Sequence, residues 1–285
     1  MTATTSVSTR PAAAVRRRRR PSPWHLVLAP VALVMLAPLI WMLVTSFSTL
    51  TESRQFPPHL PSGLHWQNFR DAWTTAPFGQ WLLNTSIVSV ACVVSNLVFC
   101  SAAGYAFARM KFFGSNVAFV VMLATLMVPF QVVMIPTLLV MKELHLVDSI
   151  ASLALPNLAT PFGVFLLRQF FLSIPRDLEE AATIDGAGRL RTLVRVVLPL
   201  MGAPLATLSV LTFLNVWNDF LWPLITIQTP SHMTLQLGLA SFQGAHTTNW
   251  PVVMAAALMS QAPVLLAFLF AQRFFVRSIA TTGIK

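Results

Sequence analysis

Charge is what this sequence lacks most. Of its 285 residues only 10% are Asp, Glu, Lys or Arg, against 55% hydrophobic, whereas soluble domains carry roughly 25% charged residues. That deficit excludes an ordinary soluble domain. Cysteine is nearly absent as well. Cys92 and Cys100 share one apolar run, and a helix would separate them by about 12 Å of rise, too far for a disulfide. They read as small hydrophobes and leave the redox compartment open. No Gly-x-x-x-x-Gly-Lys-Ser/Thr string occurs, so the chain does not cradle ATP through a P-loop. The histidines (His25, His59, His65, His145, His232 and His246) are scattered rather than set at metal-ligand spacing. Glycines never fall four apart, which removes the Gly-x-x-x-Gly packing motif. With no catalytic constellation either, the sequence reads as neither an enzyme nor a metal protein.

What is present is apolar sequence in long runs. Six runs, at about 24–47, 81–107, 117–140, 150–171, 201–226 and 252–275, are long enough to cross roughly 30 Å of hydrocarbon as helices. Pro129, Pro136, Pro156 and Pro161 interrupt the third and fourth, which membrane helices tolerate when neighbours satisfy the freed carbonyls. The formal net charge of +10 is not spread over a surface that would suit nucleic acid: Arg10 and Arg16–Arg20 stand just before the first apolar run. That placement reads as a topology signal and as contact with anionic membrane lipid. The first run is too long for the 7–15-residue core of a signal peptide, so it is expected to be a retained span.

An arrangement with both termini in the cytosol puts sixteen of the nineteen Lys and Arg residues on the cytosolic side, leaving only Arg54, Arg70 and Lys142 outside. The positive-inside rule thus predicts an all-α integral membrane protein with six transmembrane helices. The predicted organisation is a basic tail over 1–23, a membrane domain over 24–275 with a cytoplasmic loop at 172–199, and a tail over 276–285. The outer loop from Ser48 to Gln80 is expected to hold a short interfacial helix near Trp66–Trp73, anchored by aromatics.

The 173–204 stretch is a polar island. Asp177, Glu179 and Glu180 fall within four positions, Asp185 follows, and then come Arg189, Arg191 and Arg195. Pro175 suits the first turn of a helix, and the acids suit its positive dipole end. Leu178, Ala181, Ala182 and Asp185 keep helical spacing, giving a face of small residues with a charged edge. Gly186 and Gly188 turn the chain into a second, basic helix over about Arg189–Leu198, and Pro199 leads into the fifth span. An amphipathic connector at the lipid surface accounts for the second helix equally well, but an acidic first turn matches an anionic leaflet poorly.

Glu180-Ala181-Ala182, Asp185-Gly186-Ala187 and Leu198-Pro199 resemble the EAA loop of permease subunits in binding-protein-dependent ABC importers. FLLRQFFLSIPRDLEEAATIDGAG (Phe165–Gly188) and WNDFLWPL (Trp217–Leu224) are similar to the carbohydrate branch, in particular its maltose-type permease. The likeness runs from about Trp24 to Lys285. It implies the type I (MetI-like) importer permease fold in the plasma (inner) membrane of a prokaryote. It also implies a companion permease, two ATPase subunits that bind ATP and Mg, and a soluble extracytoplasmic binding protein. No cofactor is implied for this chain. ATPase coupling falls on Glu180, Ala181, Ala182, Asp185, Gly186, Leu198 and Pro199. A tail contact with the ATPase falls on Gly283, the only glycine in a tail that usually carries more. The second proline, Pro204, stands five residues after Pro199 rather than the usual four.

The fifth run holds the only acidic residue inside a predicted span. Asn215, Asn218, Asp219 and Trp222 follow i, i+3, i+4, i+7, with Thr212 extending the row. A polar stripe on an apolar helix faces a bundle interior or a wet cavity. Amides and a carboxylate can bind hydroxyls and an indole can stack on a sugar ring, so these four are substrate-path candidates for an uncharged polyhydroxylated solute. The alternative is hydrogen-bonding between helices. Gln131 and Asn157 are secondary candidates with structural roles expected. The function expected is therefore a permease subunit of an ATP-driven sugar or oligosaccharide importer. Another importer branch would carry a different small polar solute, and an anionic cargo would call for intramembrane Arg or Lys, of which only Arg168 is near. An ion-driven secondary transporter would bury several ionisable groups, where this chain offers Asp219 alone.

Overall fold

A computed structural model describes residues 24–57, 59–243 and 248–282. The basic tail with Arg10 and Arg16–Arg20, as well as Gly283 and Lys285, lie outside the described residues. Apart from one isolated bridge between Gln243 and Thr248, regular structure among the described residues is helical.

The helices are α1 (His25–Ser46), α2 (Gln67–Thr74), α3 (Phe78–Arg109), α4 (Ser115–Ala124), α5 (Phe130–Glu143), α6 (Ile150–Ala154), α7 (Pro161–Ser173), α8 (Asp177–Ile184), α9 (Arg189–Thr192), α10 (Leu198–Leu200), α11 (Gly202–Trp217), α12 (Leu221–Thr226), α13 (Leu235–Ser241) and α14 (Trp250–Thr282). The chain divides into one unit ending at Trp41, which holds most of α1, and a second from Met42 onward that contains every site discussed below.

Among the described residues, three helices are long and apolar enough to cross a membrane, within Leu26–Ser46, Phe78–Arg109 and Trp250–Phe270. Three further spans exist only as bent pairs, so six is the upper count. The pair Ser115–Met127 with Phe130–Glu143 turns by 104°, Ile150–Asn157 with Pro161–Ser173 by 41°, and Arg189–Leu200 with Gly202–Trp217 by 86°. The first break falls at Pro129, which cannot donate the N–H a continuous helix needs. The expected continuous run 201–226 is likewise two helices, α11 and α12, parted at Asn218–Phe220. The short helix expected near Trp66–Trp73 is α2, and Trp66 meets Phe47 edge-on at 4.8 Å.

α3 is the central element, packed along α7 and α11 through Cys100, Val164, Leu167, Phe171 and Leu208. In a bilayer, lipid tails are as apolar as leucine, so such seams rest on close packing and on polar bonds. α3 supplies the polar bonds along its length. Trp81 Nε1 donates to the Pro230 carbonyl at 2.8 Å, and Asn84 Nδ2 to those of Ser231 (2.8 Å) and Met233 (3.0 Å). The Thr85 hydroxyl accepts from the Leu235 N–H at 2.8 Å. One helix half lower, Asn96 Nδ2 donates to the Asn157 carbonyl at 2.7 Å, while its Oδ1 accepts from the Thr160 N–H (3.1 Å) and hydroxyl (2.9 Å). Cys92 and Cys100 are free and buried on the same helix.

At the end of the bundle away from the 173–199 loop, Asp148 ties the α5–α6 turn to the segment after α12. It sits at φ 61, a left-handed conformation that Asp tolerates. Its carboxylate accepts the Gln228 and Thr229 N–H groups, each at 2.9 Å, and faces His232 Nδ1 at 3.4 Å. Burial alone would raise its pKa, but the Thr229 hydroxyl and these N–H groups outweigh it and hold the carboxyl at about 2, below its ordinary 3.8. The sign follows from linkage: a depressed native pKa gives stability that is complete above the unfolded value and fades as pH falls toward the folded one. The melting difference between wild type and Asp148→Asn should therefore be flat above about pH 5 and shrink between pH 3.8 and 2, as followed by thermal unfolding in detergent.

Gly238 on α13 lies against the Trp81 indole. A Cβ there would come within 2.1 Å of the ring, and the ring cannot yield without breaking its bond to Pro230. Gly238→Ala should cost about 2 kcal/mol through overpacking, read as a lowered melting point of the purified protein.

Candidate functional site

Two features concentrate polar chemistry: a cavity beside the α11–α12 break, and the loop carrying α8 and α9. The break has a local cause. The Asn218 amide donates to the Leu214 carbonyl at 2.8 Å, the Asp219 carboxylate accepts from the Trp222 N–H at 3.3 Å, and Pro223 has no N–H to give the Asp219 carbonyl. The Leu214 carbonyl also keeps the Asn218 N–H at 3.1 Å, so side-chain bonds cap the break alongside the backbone, and α11 ends at Trp217.

The break changes where the expected stripe points. Asn215, Asn218 and Asp219 line a half-open cavity of about 560 Å³ together with Asn157, Phe130, Val216, Phe220 and Leu221. Trp222 does not join them. It is 1% exposed, its Nε1 donates to the Ser152 carbonyl at 2.9 Å, and its ring meets Phe130 edge-on at 5.9 Å. The indole expected to stack on a sugar is instead a strut behind the cavity wall. Thr212 is buried outside the cavity, and Gln131 is exposed outside it. Asn157 does reach the lining, and the carbonyl of the same residue is held by Asn96. The described lining carries one carboxylate, three amides and no Lys, Arg or His.

The loop begins with α8. Asp177, Glu179 and Glu180 occupy its first turn, as expected, although Pro175 lies just ahead of the helix rather than inside it. Its end is a Schellman closure. Gly186, at φ +79, donates its N–H to Thr183 at 3.0 Å, and the Ala187 N–H reaches Ala182 at 2.9 Å. Glu180, Ala181, Asp185 and Gly186 are exposed together, whereas Ala182 turns inward and is 9% exposed. The expected two-alanine face is therefore split between solvent and the bundle.

The second helix runs from Arg189 to Leu200, as expected, with a π-helical stretch inside it. α9 passes into one wide turn over Leu193–Val197 before α10, where Leu198 is half-buried and Pro199 exposed. Gly186, Gly188, Arg189, Arg191 and Arg195 border a groove of about 690 Å³. α8 and its neighbours thus present an acidic edge and a basic groove side by side.

The sequence explained Glu179 as a first-turn acid and Arg109 as a cytosolic positive charge, gave Tyr105 no role, and did not bring the three together. Glu179 Oε1 lies 2.7 Å from Arg109 Nε, and its Oε2 accepts from the Tyr105 hydroxyl at 2.8 Å. Arg109 also donates to the Ile174 carbonyl at 2.6 Å. These side chains are largely buried, at 7% exposure for Arg109 and 15% for Glu179. Seventy residues separate the two charges, so spacing could not pair them. The spare acid beside Glu180 was the only signal.

The model of a protein family described as "Binding-protein-dependent transport system inner membrane component" matches residues 100–281. The arabinooligosaccharides transport system permease protein AraQ of Halalkalibacterium halodurans is 35% identical over 277 residues, 94% of this chain and 99% of that protein. The sn-glycerol-3-phosphate transport system permease protein UgpE of Pectobacterium atrosepticum is 38% identical over 264 residues, 90% of this chain and 94% of the relative. Among solved structures, a bacterial ABC transporter involved in the import of the acidic polysaccharide alginate has a chain that aligns with TM-score 0.80 and 26% identity, covering 88% of this chain and 94% of that one.

Proposed function

This chain belongs to the family of binding-protein-dependent transport system inner membrane components, and from that premise we propose that it carries a neutral sugar or oligosaccharide, driven through α8. It is a non-catalytic permease subunit of an ABC importer in the inner membrane. The partners in the reading are a companion permease, two ATPase subunits holding ATP and Mg, a soluble extracytoplasmic binding protein and the surrounding lipid. The permease domain spans 24–275, with both termini and the 172–199 loop in the cytosol. The crowding of Lys and Arg at those positions supports that orientation.

The observation that carries the drive is the exposed edge of α8. Glu180, Ala181 and Asp185 stand clear on a helix whose end is fixed by Gly186, an arrangement fit to enter a cleft in another protein. Leu198 and Pro199 then direct the chain toward α11. For cargo, the cavity of Asn157, Asn215, Asn218 and Asp219 offers acceptors and donors to hydroxyl groups. Among the relatives, one is named for arabinooligosaccharides and another for glycerol-3-phosphate. A phosphate beside the Asp219 carboxylate, with no basic side chain in the described lining, would face repulsion. This favours the uncharged saccharide. Trp222 serves the path by backing it.

Glu180→Lys and Gly186→Asp should each leave the protein in the membrane yet lower ATP-driven uptake by about tenfold or more, within the range of coupling energies between sites. Normal uptake of a labelled saccharide in such cells would overturn the docking role. Asp219→Ala should lower saccharide uptake roughly tenfold by removing a charged hydrogen-bond acceptor, with sn-glycerol-3-phosphate failing to compete in wild type. Unchanged uptake across several sugars would return the stripe to a packing role.

A further inference from the structure

We infer that Glu179, Arg109 and Tyr105 form the joint through which α8 moves α3, and through α3 the cargo cavity. The inference rests on the coupling role proposed for α8 and names the residues that transmit it inside this chain.

α8 rests on α9 and on the Leu193–Val197 turn, and Glu179 ties it to α3. Of its eight residues only Ala182 is buried, and the remaining exposed residues face away from the bundle. A push on Glu180, Ala181 or Asp185 reaches α3 directly through the side-chain atoms that bond α8 to it. Those atoms belong to Glu179, whose two oxygens are taken by two side chains one turn apart on α3, at 2.7 and 2.8 Å. Two contacts at separate points fix the direction of α8 as well as its position.

The same cluster reaches backward along the chain. Arg109 holds the Ile174 carbonyl at the end of α7, so the segment leading into α8 moves with the joint. The Tyr105 ring packs edge-on against Phe171 of α7 at 5.5 Å. Arg168 of α7 donates to the Phe107 carbonyl at 3.2 Å and stands 4.1 Å over the Phe119 ring. The α3 terminus and α7 therefore form one block where α8 attaches.

From that block, α3 runs as an unbroken helix to Asn96, whose side chain holds Asn157 and Thr160 on both sides of the α6–α7 bend. Asn157 lines the cavity. A displacement delivered at Arg109 thus arrives at a cavity wall through one rigid helix and one buried amide. Glu179 is a positioning residue: it touches no cargo, and it sets where α8 stands relative to α3. Low-dielectric surroundings strengthen such a charge pair and penalise breaking it, which suits a joint that has to transmit force without slipping.

The test uses the complete importer purified with its companion permease, ATPase subunits and binding protein. A cysteine placed by Asn215→Cys reports on the cavity through its labelling rate with a maleimide, since native Cys92 and Cys100 are buried. The rate is read with and without the non-hydrolysable nucleotide MgAMP-PNP. In the otherwise unaltered complex, nucleotide should change the rate. Glu179→Gln and Arg109→Met should cut that change by about tenfold while the ATPase subunits stay bound and still hydrolyse MgATP. Tyr105→Phe, which keeps all charges, should cut it less. Exchanging the pair, Arg109→Glu with Glu179→Arg, should restore part of it, which a merely structural loss would not allow.

Should Arg109→Met fail to assemble, Glu179→Gln and Tyr105→Phe decide. Failure of all three to assemble would overturn the inference, because the cluster would then hold subunits together rather than transmit. A full nucleotide response in Glu179→Gln would overturn it too, as would no response in the unaltered complex. Glu180→Lys separates the two levels. If it abolishes the response and Glu179→Gln does not, only the joint is wrong; if it leaves the response intact, docking through the α8 edge is wrong.

Discussion

The fold depends on α3 finding distant partners for its buried amides, Asn84 and Asn96, and for Thr85. Within a bilayer there is no water to accept an orphaned amide, and burying one unpaired costs several kcal/mol. Asn84, Thr85 and Asn96 are nearly wholly buried, yet each has partners on a segment far along the chain. Those bonds fix where the 157–160 and 230–235 segments can sit. They place the start of α7 and of α13 against α3, with the cavity and the loop at the two sides of that frame.

This arrangement separates two jobs. The cavity sits where α11 gives way to α12, and two of its four polar lining residues, Asn218 and Asp219, also shape the break. The α8 loop sits at the terminus of α3, held by a buried ion pair. Asn96 is the residue common to both, because it grips the bend whose near side supplies Asn157. Little of the cavity wall is shared with the apolar seam, so the chemistry presented to cargo and the packing that holds the bundle are specified by different residues.

Apolar length made the spans legible, and the charged island announced a loop that must meet water. Gly186 was readable as a turn because a helix end needs a left-handed residue and glycine supplies it freely. The bends were not readable. Pro129 marks a break, but an angle of 104° is set by what packs on either side. The stripe from Asn215 to Trp222 keeps helical spacing, and that misled. Spacing assumes an unbroken helix, while Asn218 and Asp219 bond to nearby backbone and Pro223 withholds an N–H. The Arg109–Glu179 pair was invisible for another reason. Local pattern carries no information on which of two distant charges meet, and Arg109 had an adequate explanation as a positive-inside residue.

The bonds made by α3 also bear on the order in which the protein can be made. Asn84 and Asn96 leave the ribosome long before Asn157, Ser231 and Met233, whose carbonyls receive their amides. An early helix therefore enters the bilayer with its hydrogen-bonding groups uncommitted and cannot reach its final packing during the first half of synthesis. Maturation is gated from the far end of the chain, and a truncation after α7 would strand Asn84 without its receptors even though every residue of α3 is present.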